Sequence, residues 1–161
     1  MSKQLTIAGT VYNFPVAGES PNWGAEATET ISAIVDALNS LLGPGDILQT
    51  SESIQNNISI ATPINGLIFD PNVVRAATIS CSIYRMSASN LSGYSQVSKA
   101  FIVYDDNASI GQKWKMTIES NGDAGITLSI NDAGQCFYTS SDIGASSYVG
   151  TIVFTARTLP R

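Results

Sequence analysis

The chain has 161 residues, a length typical of one compact domain with at most a small appended segment, which excludes a pair of enzyme domains. Its net charge is -5 and only 13% of its residues are charged, so the attraction to phosphates that nucleic acids and anionic membranes require is missing, and we expect neither as a partner. No signal peptide and no apolar run long enough to span a membrane is recognisable, so we expect synthesis in a cytoplasm.

Residues 1–45 predict an amino-terminal segment made of a short hairpin and one helix. Two apolar runs, residues 5–8 and 11–14, flank a Gly-Thr pair, a spacing typical of two strands joined by a tight turn. A helix over about residues 22–42 follows, because a Ser-Pro start signal precedes it and the Gly-Pro-Gly at 43–45 cannot continue it.

Apolar residues recur along this helix with the 4, 3, 4, 3 spacing of a coiled-coil seam. The seam covers only about two heptads, and a helix of that length is marginal alone in water, so the stripe needs a cover. The cover is either the chain's own hairpin or the same helices of sister subunits around a two- or three-fold axis. The predicted oligomer interface consists of the seam and the tryptophan before it: Trp23, Ala27, Ile31, Ile34, Leu38 and Leu41.

Residues 46–161 predict a β-sandwich domain, because the hydrophobic period changes to two and the runs are separated by turn residues. Seven or eight strands in this length indicate a mainly β fold, an antiparallel β-sandwich of jelly-roll or immunoglobulin-like (Ig-like) type. The alternating apolar sets include Ile79, Cys81 and Ile83; Val97, Phe101 and Val103, with Lys99 among them; Trp114, Met116 and Ile118; Ile126, Leu128 and Ile130; and Tyr148, Ile152, Phe154 and Ala156.

Two features of this domain leave alternatives open. Residues 49–63 place isolated isoleucines in a polar background, which fits an edge strand or an arm laid across a neighbouring subunit. Cys81 and Cys136 lie within strand patterns and have no CxxC partner, so we expect buried thiols, with a bridge across the sandwich as the alternative after extracellular oxidation.

The sequence contains no histidine, which removes the Ser-His-Asp, Cys-His and His-metal constellations. Paired carboxylates can hydrolyse glycosides, but the acidic residues of the sandwich fall in predicted turns, where Asp binds its own backbone. Neither calcium-loop spacing nor a glycine-rich phosphate motif is present. We therefore predict no catalytic residue, no metal and no cofactor, and we assign a turn role to Asp105, Asp106, Asp123, Asp132 and Asp142.

Tyrosines offer a possible carbohydrate platform, because the ring stacks on sugars and keeps a polar tip. The alternative is that they line strand faces and sheet rims, whereas Trp114 fits the core. The tyrosines concerned are Tyr84, Tyr94, Tyr104, Tyr138 and Tyr148.

Segments at both ends of the chain resemble structural proteins of tailed-phage particles. The similarity covers most of the chain and carries no catalytic motif. It lies in residues 11–15 (VYNFP), 20–24 (SPNWG), 43–47 (GPGDI), 122–126 (GDAGI), 133–135 (AGQ), 138–140 (YTS), 146–148 (SSY) and 151–159.

This resemblance implies a bacteriophage virion component, of the kind named tail fibre or structural protein, that is made in the host cytoplasm and is a homotrimer. The chain has no long fibrous repeat, so a capsid decoration or cement protein is the expected form. Residues 1–45 would then anchor it to the major capsid protein, and residues 46–161 would cover the shell. The alternative is a tail-fibre or baseplate tip that binds a host receptor or glycan through its loops. A polysaccharide hydrolase would need a pair of essential carboxylates.

Overall fold

The structure is a computed structural model that describes residues 3–7, 10–14, 23–40 and 42–161, with side chains for 27–37 and for 42–161 except position 90. The chain divides into two compact units, Met1–Leu42 and Gly43–Arg161.

The first unit contains the predicted hairpin and helix. Strands β1 (Lys3–Ile7) and β2 (Thr10–Phe14) pair antiparallel, from Lys3 opposite Phe14 to Ile7 opposite Thr10. Helix α1 spans Trp23–Ser40 and contacts both strands. The predicted Ser-Pro start signal and Leu41 lie outside the described residues, and the helix ends at Ser40, two residues before the predicted end at 42.

The second unit is the predicted antiparallel sandwich of two sheets, in which the described residues form eight strands. One sheet has five strands in the order β3-β10-β5-β6-β7, and the other has three in the order β4-β9-β8. The strands are β3 (Ile47–Ser53), β4 (Ile58–Ile68), β5 (Val74–Ser87), β6 (Asn90–Tyr104), β7 (Trp114–Gly122), β8 (Ile126–Ile130), β9 (Gln135–Ser140) and β10 (Val149–Pro160).

The core lies between the two sheets and is built by alternation along each strand. On β5, Ile79, Cys81 and Ile83 are buried, and on β10, Ile152 and Phe154 are buried, as the period of two predicts. Fully burying one such large apolar side chain contributes about 1.5–3 kcal/mol relative to leaving it exposed. The predicted burial of Trp114 is also confirmed.

Two parts of the predicted burial pattern differ in the structure. On β6, the predicted apolar set Val97, Phe101 and Val103 points outward, and Phe101 is 41% exposed, because Ala100 and Ile102 take the face toward the other sheet. On β7, Trp114 and Met116 reach the core, but Ile118 is 36% exposed because it lies farther along an edge strand.

Residues 49–63 form most of β3 and the first half of β4, so the edge-strand alternative is the one that the structure shows. Strand β4 pairs irregularly with β9, and its carbonyl oxygens at Ile64 and Leu67 accept hydrogen bonds from the Gln135 side chain at 2.9 and 3.2 Å. This side chain satisfies backbone groups that the irregular pairing leaves without a ladder partner.

Candidate functional site

Two residues of the predicted oligomer interface on α1, Ile31 and Ile34, are exposed in the single chain. Ile31 is 59% exposed, Val35 46% and Ile34 38%, whereas Thr30, one turn before Ile34 at the border of this stripe, is buried. Within the described part of α1, the helix therefore buries small side chains and leaves its large apolar ones in solvent, an arrangement that favours a partner on the exposed face.

The remaining predicted interface residues are placed less completely. Ala27 is half-buried on the same helix. The side chains of Trp23 and Leu38, and Leu41 altogether, lie outside the described residues.

A fully buried arginine lies at one end of the sandwich, and the sequence reading missed it. Arg85, near the end of β5, is 0% exposed. Its guanidinium donates to the carbonyl oxygens of Ala124 and Ser141, both at 2.6 Å, to Asn56 Oδ1 at 2.8 Å and to the Tyr148 hydroxyl at 3.1 Å. Arg85 thus joins the loops before β4, before β8 and after β9, and neutral oxygens replace the water that its charge has lost.

The loops around Arg85 pack tightly against its guanidinium. A side chain at Gly125 would collide with Ser141 Oγ and lie against the Arg85 guanidinium. The Asn56 amide, which accepts from Arg85, also donates to Asp142 Oδ1 at 2.8 Å. The cluster is therefore closed, and it fixes loops rather than exposing a reactive group.

The predicted turn role is confirmed for Asp105, Asp123 and Asp142, whereas Asp132 accepts hydrogen bonds from another loop and Asp106 contacts the Arg161 side chain. Asp105, Asp123 and Asp142 each accept from the N–H two residues later, at 2.7–3.0 Å. Asp132 accepts from Gly111 and Lys113, and these bonds lower the pKa of its carboxyl. A hydrogen bond from Asn107 lowers the pKa of Asp105, as one from Gly144 lowers that of Asp142. These carboxylates therefore act as hydrogen-bond acceptors that hold the loops in place.

Asp46 joins the start of the second unit to β10 by hydrogen bonds. Its carboxylate accepts from the Thr158 N–H at 2.6 Å, from Arg157 Nη1 at 2.7 Å and from the Gly43 N–H at 2.9 Å. Burial opposes ionisation, but these bonds outweigh it and lower the pKa of Asp46 to about 2.

A cleft of about 500 Å³ with mixed charge opens on the second unit. Lys115 pairs with Asp105 at 3.3 Å, and Arg161 contacts the Asp106 carboxylate. Among the described residues no acidic side chain pairs with Arg75. The charged and aromatic residues that line the cleft are Arg75, Tyr104, Asp105, Asp106, Lys115 and Arg161.

The tyrosines do not form one platform. Tyr138 is buried, and its hydroxyl accepts from the Gln55 N–H at 3.0 Å. Tyr104 packs against Trp114 with 5.0 Å between ring centroids, and Tyr84 and Tyr94 are exposed near the end of the β5–β6 pair.

Cys81 and Cys136 are buried free thiols in the structure. Burial raises the pKa of both, that of Cys136 to about 12, so neither is a thiolate at neutral pH. Within the described residues no three His, Cys, Asp or Glu side chains come together as metal ligands do. The described helix is too short or too polar to cross a membrane.

No protein-family model and no curated protein matches the chain. Two solved structures are similar to it over part of their length. The tailspike protein of Acinetobacter phage vB_ApiP_P1 has a TM-score of 0.45 and 13% identity over 69% of this chain and 22% of the tailspike. The tailspike protein of Acinetobacter baumannii phage AM24 has a TM-score of 0.33 and 14% identity over 70% of this chain and 26% of that tailspike. This chain therefore spans about a quarter of each, and a likeness of this size carries no argument about function.

Proposed function

We propose that this chain is a structural subunit of a tailed-phage particle that works by binding other protein subunits and not by catalysis. The observation that carries the proposal is the exposed apolar face of α1, where Ile31, Ile34 and Val35 all lie in solvent in the single chain. A helix keeps such a face when another protein covers it in the assembled state. The segments at both ends of the chain resemble structural proteins of tailed phages, and for this reason we propose a phage particle as the assembly.

The hydrogen bonding of the acidic residues also supports a non-catalytic role. General acid catalysis by a carboxyl group needs a raised pKa, and the shifts found at Asp46, Asp105, Asp132 and Asp142 are all downward. Each of these carboxylates accepts hydrogen bonds from its own fold, which favours a structural role.

In its finer form, the proposal is a capsid decoration or cement protein that assembles as a homotrimer. Residues 1–45 contain the associating helix and anchor the trimer to the major capsid protein, and the sandwich of residues 46–161 covers the shell. Stabilisation is mechanical, since buried area spread over many subunit contacts holds the shell together although each contact is modest.

The test is to add the purified chain to capsids assembled without it and to image them by electron cryo-microscopy. We expect density at defined lattice points and hundreds of copies per particle by quantitative mass spectrometry. Density confined to the tail, or a few copies per particle, would contradict the decoration role.

The second candidate is a tail-fibre or baseplate tip that binds a host receptor or glycan, and the mixed-charge cleft favours it. Within the described residues the Arg75 guanidinium has no acidic partner, and it lines the cleft together with Tyr104, a combination suited to a charged sugar. Saturable binding of the chain to host cells that Arg75→Ala abolishes, but that Lys99→Ala outside the cleft leaves intact, would establish this role in place of decoration.

A further inference from the structure

Strand β7 is an open edge of the five-stranded sheet, and it differs from the other three edges of the sandwich. It pairs with β6 over nine consecutive residues without a register shift. Strand β4 is longer but contains Pro63 and is interrupted by bulges, β3 faces a register shift on β10, and β8 has five residues. Proline, bulges and short length block pairing between sheet edges, and β7 has none of these three. It does carry Lys115, and an edge lysine also opposes pairing unless the partner strand places an opposite charge beside it.

The side chains of β7 are exposed from Thr117 to the end of the strand. On the outer face lie Lys115, Thr117 and Glu119, and on the inner face Met116 is half-buried and Ile118 exposed. The edge therefore presents free backbone groups together with an apolar side chain that the three-stranded sheet does not cover.

The charged residues of β7 favour one register for pairing between the β7 strands of two copies of the chain. Two identical strands that pair antiparallel about a two-fold axis must be centred on a residue, because opposite residues share the direction of their N–H and C=O groups. The strand contains two charged residues, Lys115 and Glu119, and Thr117 lies midway between them. A pair centred on Thr117 puts Lys115 opposite the partner's Glu119 twice, and Met116 opposite the partner's Ile118 twice.

We propose that β7 is an interface between two copies of this chain, paired antiparallel about Thr117, so that two five-stranded sheets become one sheet of ten strands. The backbone ladder supplies most of the contact, the Lys–Glu pairs fix the register, and the Met–Ile pairs cover Ile118. This interface goes beyond the proposed function, because it uses neither α1 nor a capsid. Where α1 joins three chains, β7 contacts would link one trimer to the next.

Disulfide trapping in the full chain tests the register. In the proposed pair the two Thr117 Cα atoms lie about 4.5–5.5 Å apart, within the range that a disulfide spans. The two Asn121 Cα atoms would lie eight residue positions apart, about 27 Å. Both side chains are exposed, and the native thiols are buried.

We expect Thr117→Cys to form a covalent dimer under mild oxidation and Asn121→Cys to remain a monomer on a non-reducing gel. Association through α1 would raise the local concentration of both variants equally, so it cannot mimic this difference. Equal cross-linking of the two variants, or none at Thr117, overturns the proposed register.

Charge reversal tests the same contact without cysteine. In Lys115→Glu or Glu119→Lys, like charges face each other twice, and we expect the dimer Kd from sedimentation to rise about tenfold. The double variant restores opposite charges and should return the Kd to that of the original chain. Single reversals that leave the Kd unchanged, while circular dichroism shows a folded sandwich, overturn the interface.

Discussion

At the scale of single residues, Arg85 shows what the alternation of buried and exposed positions along a strand can predict and what it cannot. Arg85 continues the parity of Ile79, Cys81 and Ile83, and this unused signal in the sequence pointed to the buried face of β5. The sequence could not show what would compensate its charge, because the acceptors come from loops up to 63 residues away. What the sequence shows is an arginine at a strand position of the same parity as buried residues. Its hydrogen-bond partners are recognisable only in the folded structure.

Replacing Arg85 should destabilise the sandwich strongly. Arg85→Ala leaves the buried Ala124 carbonyl oxygen without a donor and removes the bonds to Asn56, Ser141 and Tyr148, and we expect the free energy of unfolding in urea to fall by about 3–5 kcal/mol. Arg75→Ala removes the same group from an exposed position on the same strand and should cost within about 0.5 kcal/mol. Equal effects of the two substitutions would show that the hydrogen bonds of Arg85 contribute nothing beyond those of a surface arginine.

Asp46 should make stability depend on acid pH. Its pKa is about 2 in the fold against an ordinary value of 3.8. A carboxyl with a lowered folded pKa stabilises the protein above its unfolded pKa, and it loses that contribution, about 2 kcal/mol, as the pH falls from about 4 to 2.

Comparison with Asp46→Asn isolates this contribution from the other acidic residues. We expect the variant to be less stable than the original chain at pH 6 and the difference to shrink towards pH 2, as measured by urea unfolding. A difference that is the same at both pH values would exclude Asp46 as the group responsible.

At the scale of elements, the sequence predicted the hairpin, the helix and the number of strands, because period and turn residues are local properties. It did not predict which face of β6 turns inward. Val97, Phe101 and Val103 form an apolar set as convincing as Ala100 and Ile102, and the choice depends on the position of the three-stranded sheet. The exposure of Ile118 has a similar cause, since no local pattern marks an edge strand.

Helix α1 gives a prediction about association. Ile34→Asp puts a carboxylate on the exposed apolar face, and burying it against sister helices would cost about 3 kcal/mol or more. We expect multi-angle light scattering to show a fall in molar mass towards the monomer. Ser32→Asp adds the same charge to an exposed position outside the stripe and should leave the mass unchanged. An unchanged mass for Ile34→Asp would remove α1 from the interface.

At the scale of the whole molecule, the large apolar core belongs to the second unit. Its described members run from Ile54 to Ala156, and the contacts of Asp46 with Gly43 and Thr158 close that unit at its start. The sandwich thus contains the burial that stabilises it, whereas α1 leaves its largest described side chains in solvent. This division fits a stable body joined to an element that is completed by partners.

A fragment of residues 43–161 should therefore fold by itself. Trp114 is its one tryptophan and lies in the core, so its fluorescence reports the unfolding of the sandwich. We expect the urea midpoint of the fragment to equal that of the full chain carrying Trp23→Phe, in which the same tryptophan is observed. The fragment should also fail to bind capsids, because it lacks the proposed anchor. A lower midpoint would mean that residues 1–42 help to stabilise the sandwich, and retained capsid binding would move the anchor onto the sandwich itself.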